Sequence, residues 1–132
     1  YMMPNAYCLL NHQLTKKQIA ELTMEFGTAQ IFYPPKNICE LWAQVSPMGE
    51  DNQTVHTITS WLSSAKDGDL VIIQGEYGST FMLVDYALKK NLVPVFAATK
   101  RIAKEEQNGE IVSRHYIFEH VRFKKYAYYS NL

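Results

Sequence analysis

Four places in the chain set polar, ionisable or glycine residues directly after a short apolar run, which is where an open α/β sheet delivers its chemistry. Asn11 and His12 follow AYCLL, Tyr33 ends AQIFY, GEYGST (75–80) follows DLVIIQ with Gln74 at the junction, and Thr99, Lys100 and Arg101 follow LVPVFAA. GEYGST is neither a Walker loop, which needs a Gly-Lys-Ser/Thr ending, nor the three-glycine dinucleotide fingerprint. It has Gly75 and Gly78, which let backbone approach a ligand, and then Ser79 and Thr80 at a helix start whose free N–H groups attract an anion. The same residues also suit a plain strand-to-helix corner with serine as the cap, and both readings stand at this point. The cationic Lys100 and Arg101 at the next strand end favour the anion. Glu76 repels a phosphate unless it turns away or pairs with a basic neighbour, and so reads as orienting a Lys or Arg at least as readily as catalysing. His12 is either a general base or a loop histidine bonded to a carbonyl.

Other candidates are weaker. His56 falls on a helical pattern with Trp61 and reads as surface or packing. Tyr116, Phe118, His120 and Arg122 share one strand parity, an alternation of aromatic and cationic groups that can stack on nucleotides. Neither a CxxC nor an HExxH pattern occurs, and no other metal-ligand spacing is evident, so no metal and no cofactor is expected. Cys8 and Cys39 both read as reduced core residues.

These groups need a scaffold. The chain has 132 residues, 47% hydrophobic and 20% charged, which predicts one globular domain. No apolar stretch is long enough to span a bilayer and no export signal is evident, so the expected location is cytoplasmic. Thirteen Lys/Arg balance thirteen Asp/Glu, which argues against a long nucleic-acid duplex as partner. Residues 99–132 nevertheless hold seven Lys/Arg against four Asp/Glu, an excess compatible with a small anionic ligand.

Apolar runs and helical periods alternate through residue 98. Strands are expected at 6–10, 29–33, 69–74 and 92–98. The helix after Thr15, with Gln18 completing a capping box, places Leu14, Ile19, Leu22 and Phe26 inward and stops at Gly27. Helices over ICELWAQV and around Val55, Ile58, Trp61 and Leu62 follow. A helix from Ser79 to about Lys90 keeps Phe81, Leu83, Val84 and Leu88 mostly inward. This alternation predicts an open, mainly parallel sheet with helices on both faces. Beyond residue 98, two extended runs flank Asn108-Gly109, the signature of a β-hairpin. Its arms exceed what a core needs, so it is expected to leave the sheet edge or rest on a partner subunit. The domain is thus 1–132, with an α/β core over 1–98 and a hairpin and tail over 99–132.

NHQLT, VIIQGEYGSTF, PVFAATKR and FEHVRFKKY, in that order, resemble the small CRISPR-associated ring nucleases, in particular the Csx-twenty family, over nearly the whole chain. The resemblance implies a Rossmann-like fold of the CRISPR-associated (CARF) type, a homodimer with a two-fold ligand site, and cyclic oligoadenylate as substrate, most readily the four-nucleotide ring. The implied activity is metal-independent opening of that ring by a ribose 2′-hydroxyl, which leaves 2′,3′-cyclic phosphate ends and switches off type III antiviral signalling. On that reading the expected catalytic residues are His12 for proton transfer, Lys100 and Arg101 for charge stabilisation, and Ser79 in the phosphate cradle. The expected ligand contacts are Asn11, Gln74, Gly75, Glu76, Tyr77, Gly78, Thr80 and Thr99. Two rivals use the same residues: a module that senses or sequesters a cyclic nucleotide uncut, and an α/β enzyme acting on linear RNA or a mononucleotide.

Overall fold

The computed structural model describes residues 3–49 and 51–132. Its elements are β1 (Ala6–Leu9), α1 (Lys16–Glu25), β2 (Ile31–Phe32), α2 (Lys36–Ala43), α3 (Asn52–Leu62), β3 (Leu70–Ile73), α4 (Tyr77–Lys89), β4 (Val93–Asn108) and β5 (Ile111–Lys125), followed by a short 3₁₀ turn, Tyr129–Asn131. The sheet runs in the order β2-β1-β3-β4-β5. The first four strands are parallel and β5 is antiparallel to β4.

β1 and β3 are buried at every position, as central strands covered on both faces must be. Tyr7, Leu9, Val71 and Ile73 point to the face covered by α2, α3 and α4, where Trp42, Ile58 and Leu83 meet them. Ala6, Cys8, Leu70 and Ile72 point to the opposite face, covered by α1 through Leu22. One helix on one face and three on the other follow from the chain path: the crossover from β1 goes one way to β2, and the next returns past β1 to β3. The reversal leaves a crevice between the carboxyl ends of β1 and β3.

The capping box forms as the spacing predicts. Gln18 N donates to Thr15 Oγ1 at 3.2 Å, and Thr15 N donates to Gln18 Oε1 at 3.0 Å. Gln18 itself is buried, whereas Ile19 on the expected apolar stripe is exposed. β2 is two residues long where five were expected; at its carboxyl end Pro34 and Pro35 supply no N–H to extend the ladder. α4 begins at Tyr77, two residues before the expected start, and buries Ser79, Leu83 and Ala87. Phe81, expected inward, is 76% exposed. Cys8 is buried but Cys39 is exposed, so only the first is a core residue.

The fourth strand does not end at residue 98. β4 pairs with β3 only from Val93 to Val95 and then continues along β5 as one ribbon out to Asn108. The loop sits one residue later than the Asn-Gly pair predicts. Asn108 closes the ladder opposite Ile111, and Gly109 and Glu110 are the loop residues. Gly109 has φ 65°, as the first central position of a two-residue II′ loop requires. From Thr99 to Asn108 the ribbon has the reach of about 33 Å of extended chain.

Candidate functional site at the carboxyl edge of the sheet

The loop after β1 and the end of β2 form one wall each of a cleft of about 370 Å³, whose lining includes Asn11, His12, Gln13, Tyr33 and Cys39. His12 is exposed, and its Nδ1 lies 2.8 Å from the Gln13 carbonyl oxygen. A carbonyl only accepts, so Nδ1 carries the proton and the Nε2 lone pair is left to take one. Asn11 and Tyr33 place an amide and a phenol beside it. Cys39, on α2, is expected in the core from its sequence context but is exposed on this cleft.

The β3 junction is built differently. Gln74 Oε1 accepts from Ala97 N at 2.8 Å, and the Gln74 carbonyl accepts from Trp42 Nε1 at 2.9 Å. Gln74 therefore ties β3 to β4 and to α2. Gly75 is required by the same indole: a Cβ there would sit 2.5 Å from Trp42 Cζ2. Its small size serves a packed tryptophan.

Glu76 is the N-cap of α4. Its Oε1 accepts from Gly78 N at 3.0 Å and its Oε2 from Ser79 N at 2.8 Å. These backbone N–H groups, Ser79 first and then Gly78, hold its carboxyl below the ordinary glutamate range. The anion-binding amides expected at this helix start are thus occupied by the chain's own carboxylate. Gly78 also sits close to a second one, since a Cβ there would lie 2.7 Å from Asp51 Oδ2. The Ser79 and Thr80 hydroxyls are buried, Thr80 with no hydrogen-bond partner among the described residues, and Tyr77 is 93% exposed. The corner is anionic as it stands, for a reason the glycine spacing could not reveal: the acid between the two glycines reaches forward onto the helix.

Thr99, Lys100 and Arg101 lie on the ribbon just past a bulge between Ala98 and Thr99. All three are exposed. The Arg101 guanidinium stacks over Tyr116, 4.5 Å from the ring centroid, and Lys100 faces Glu119 in the ladder. Among the described residues, neither cation is hydrogen-bonded or ion-paired to residues 74–80. The structure therefore brings Asn11, His12 and Tyr33 together and holds Gln74 to Gly78 by internal bonds. Lys100 and Arg101 stand apart on the ribbon.

The bulge also breaks the expected alternation on β5. Ala98 pairs with Arg122 but Thr99 with His120, so one extra residue, Val121, enters β5. His120 and Phe123 consequently share a face, with rings 4.7 Å apart, and Arg122 leaves the series. His120 is buried rather than offered to a ligand. Its Nε2 lies 2.6 Å from Glu21 Oε1, its Nδ1 3.3 Å from Gln18 Nε2, and Glu21 Oε2 accepts from Phe123 N at 2.7 Å. This clasp ties the ribbon base to α1. A larger hollow of about 510 Å³ lies at the opposite, amino edge, but the buried Asp69 on its wall is fully engaged by the Asn5 and Lys66 amides. Among the described residues no group of three or more His, Cys, Asp or Glu converges as a metal cluster would, and no helix is long and apolar enough to cross a membrane.

Comparison with known proteins gives a match over residues 4–124 to the model of the family described as Uncharacterized protein MJ1673 family. A protein of Methanocaldococcus jannaschii, named Uncharacterized protein MJ1673, is 37% identical over 130 residues, covering 96% of this chain and 100% of that protein. No solved structure matches.

Proposed function

We propose, for a chain that belongs to the Uncharacterized protein MJ1673 family, that the carboxyl edge of the sheet binds a cyclic oligoadenylate and opens the ring. Cyclic tetra-adenylate is the expected size, a homodimer the expected assembly, and a CARF-type domain the finer description of the fold. The role is to end a type III CRISPR signal. The observation that carries the reading is His12, held by the Gln13 carbonyl with Nε2 free to accept a proton, in a cleft beside Asn11 and Tyr33 at the carboxyl ends of β1 and β2.

In this reaction the His12 Nε2 takes the proton of a ribose 2′-hydroxyl. The 2′-oxygen forms a bond to the adjacent phosphorus, the bond from phosphorus to the 5′-oxygen breaks, and that oxygen leaves with a proton from solvent. The product is a linear chain with a 2′,3′-cyclic phosphate and a 5′-hydroxyl. In-line positioning and neutralisation of the nonbridging oxygens supply the rate. Lys100 and Arg101 are the cations for that neutralisation, reached from the ribbon. The amides of Gly78 and Ser79 join only after Glu76 leaves them, and that prior occupancy favours the second reading, a sensor that holds the ring uncut.

The test is incubation of the protein with cyclic tetra-adenylate in EDTA, followed by chromatography. Linear products from wild type, with His12→Ala slower by roughly 10²–10⁴-fold, are expected for a general base. Lys100→Ala should slow cleavage by an order of magnitude or more. An intact but tightly bound ring selects the sensor. A ring neither bound nor cut, with linear RNA cleaved instead, removes the cyclic-nucleotide reading.

A further inference from the structure

The outer ribbon is the surface that neither the core nor the cleft explains. β5 is an edge strand of fifteen residues, and its side chains from Ile111 to Glu119 are exposed on both faces. Val112, Tyr116 and Phe118 lie on one face and Ile111 and Ile117 on the other, all of them exposed large apolar groups. A solitary two-stranded ribbon is marginal in water, and a long apolar edge is a template for another strand. Because Asn108 and Ile111 close a two-residue loop, the pairs 106/113, 104/115 and 102/117 exchange hydrogen bonds within the ribbon. The N–H and C=O groups of Val112, Arg114, Tyr116 and Phe118 therefore point outward to an empty edge.

We propose that this edge pairs with the same edge of a second copy, antiparallel, about a two-fold axis through Ile117. The proposal rests on the two-fold partner in the reading above and not on its ligand. A perpendicular two-fold axis matches residues of equal parity, so only a few registers exist. Centred on Ile117, Tyr116 meets Phe118 of the other copy, both offering outward amides, and His115 meets Glu119, twice by symmetry. Centred on Tyr116, His115 would face Ile117; centred on Phe118, Glu119 would face Ile117. Both set an ionisable group against an apolar one, so the polar pairing of His115 with Glu119, which lie 3.8 Å from Glu106 and 3.9 Å from Lys17 in their own chain, selects the first. The surface is preset for this: Arg101 pins the Tyr116 ring, and Arg114 is held 2.8 Å from Glu105. A polyanion is the poorer occupant, because the outer ribbon balances Arg101, Lys104 and Arg114 with Glu105, Glu106 and Glu110 and so offers no cationic excess.

A disulfide test reads the register directly. Opposed residues of a non-hydrogen-bonded antiparallel pair lie with Cα atoms about 4.5 Å apart, within disulfide reach. In a Cys39→Ser background, Ile117→Cys should convert most of the protein to a covalent dimer on oxidation. His115→Cys should not, since its own counterpart lies four residues along, roughly 13 Å away. Phe118→Pro removes an outward N–H without touching the ribbon's own ladder, and should weaken association at least tenfold by sedimentation. A wild-type chain that is monomeric at tens of micromolar overturns the proposal. So does a dimer that fails to cross-link at position 117. None of these readouts needs nucleotide, so an inactive but cross-linked dimer refutes the ring reading alone, and an active monomer refutes this one alone.

Discussion

The two glycines that bracket Glu76 have different neighbours, and substitution separates them. A Cβ on Gly75 would run into the fixed ring of Trp42, which is 2% exposed and anchored by its indole N–H. Overpacking a rigid site costs about 1–3 kcal/mol, so Gly75→Ala should lower the denaturant midpoint clearly. At Gly78 the obstacles are the ends of two flexible side chains, Asp51 Oδ2 at 2.7 Å, which can swing away, and Glu76 Oε1 at 3.2 Å, which need give only a few tenths of an ångström, and alanine favours a helix. Gly78→Ala should therefore fold with near wild-type stability. The sequence marks both glycines as places of close approach but cannot say what approaches, because the partners come from α2 and from the residue before α3. The thiols separate as cleanly. Burial pushes the Cys8 thiol up to about 12, so it stays protonated and protected, while Cys39 is exposed on the cleft. Ellman titration should release one equivalent from native protein and two after denaturation. If the cleft is the ligand site, cyclic tetra-adenylate should slow the native equivalent; unchanged reactivity at saturating ligand would move the site elsewhere.

At the scale of the elements, α4 and α1 each depend on one carboxylate. The Glu76 carboxyl is held below its ordinary value by the helix amides, so its folded pKa lies below its unfolded one. Its contribution is thus complete above the unfolded value of about 4.3 and is lost as pH falls through the folded value. The midpoint gap between wild type and Glu76→Gln should be constant above about pH 5.5 and close on acidification; a gap that widens in acid would contradict the cap. Glu21 joins α1 to the ribbon base, and Glu21→Ala leaves the Phe123 N–H and the His120 ring without their acceptor. Each such loss costs roughly 1–3 kcal/mol, so this substitution at a mostly buried carboxylate should behave like a core mutation in chemical unfolding. The helices and parallel strands were legible because periodicity and capping are local: Thr15 and Gln18 are three residues apart. The clasp was not, because Glu21 and His120 are 99 residues apart and the bulge that turns His120 inward leaves no mark in the strand alternation.

The whole molecule divides into a body with a double-faced core and a ribbon whose outer part, residues 99–118, contributes nothing to it. Both core clusters draw on residues up to Val95 and then only on Ala97, Phe123 and Tyr126. Tyr126 closes the body from the far side, its hydroxyl donating to the Ile73 carbonyl at 2.9 Å. The division near residue 98 could be read from the change in pattern, but not the continuity of β4 across it, since a strand passing from buried to solvated surroundings looks like two segments. If the body is self-sufficient, excising residues 101–118 and joining Lys100 to Glu119 through a two-residue Asn-Gly turn should leave it folded, because these residues are an opposed ladder pair. Circular dichroism should retain the helical signal, and stability should fall within about 0.5 kcal/mol of wild type measured at a concentration where both are monomeric. A large loss would mean that the ribbon stabilises the body through contacts other than the clasp at its base. The excised protein keeps His12 and Lys100 but loses Arg101 and the outer edge. Residual ring opening by that monomer would place the chemistry within one body, whereas loss of opening together with loss of the dimer would make the second copy part of the site.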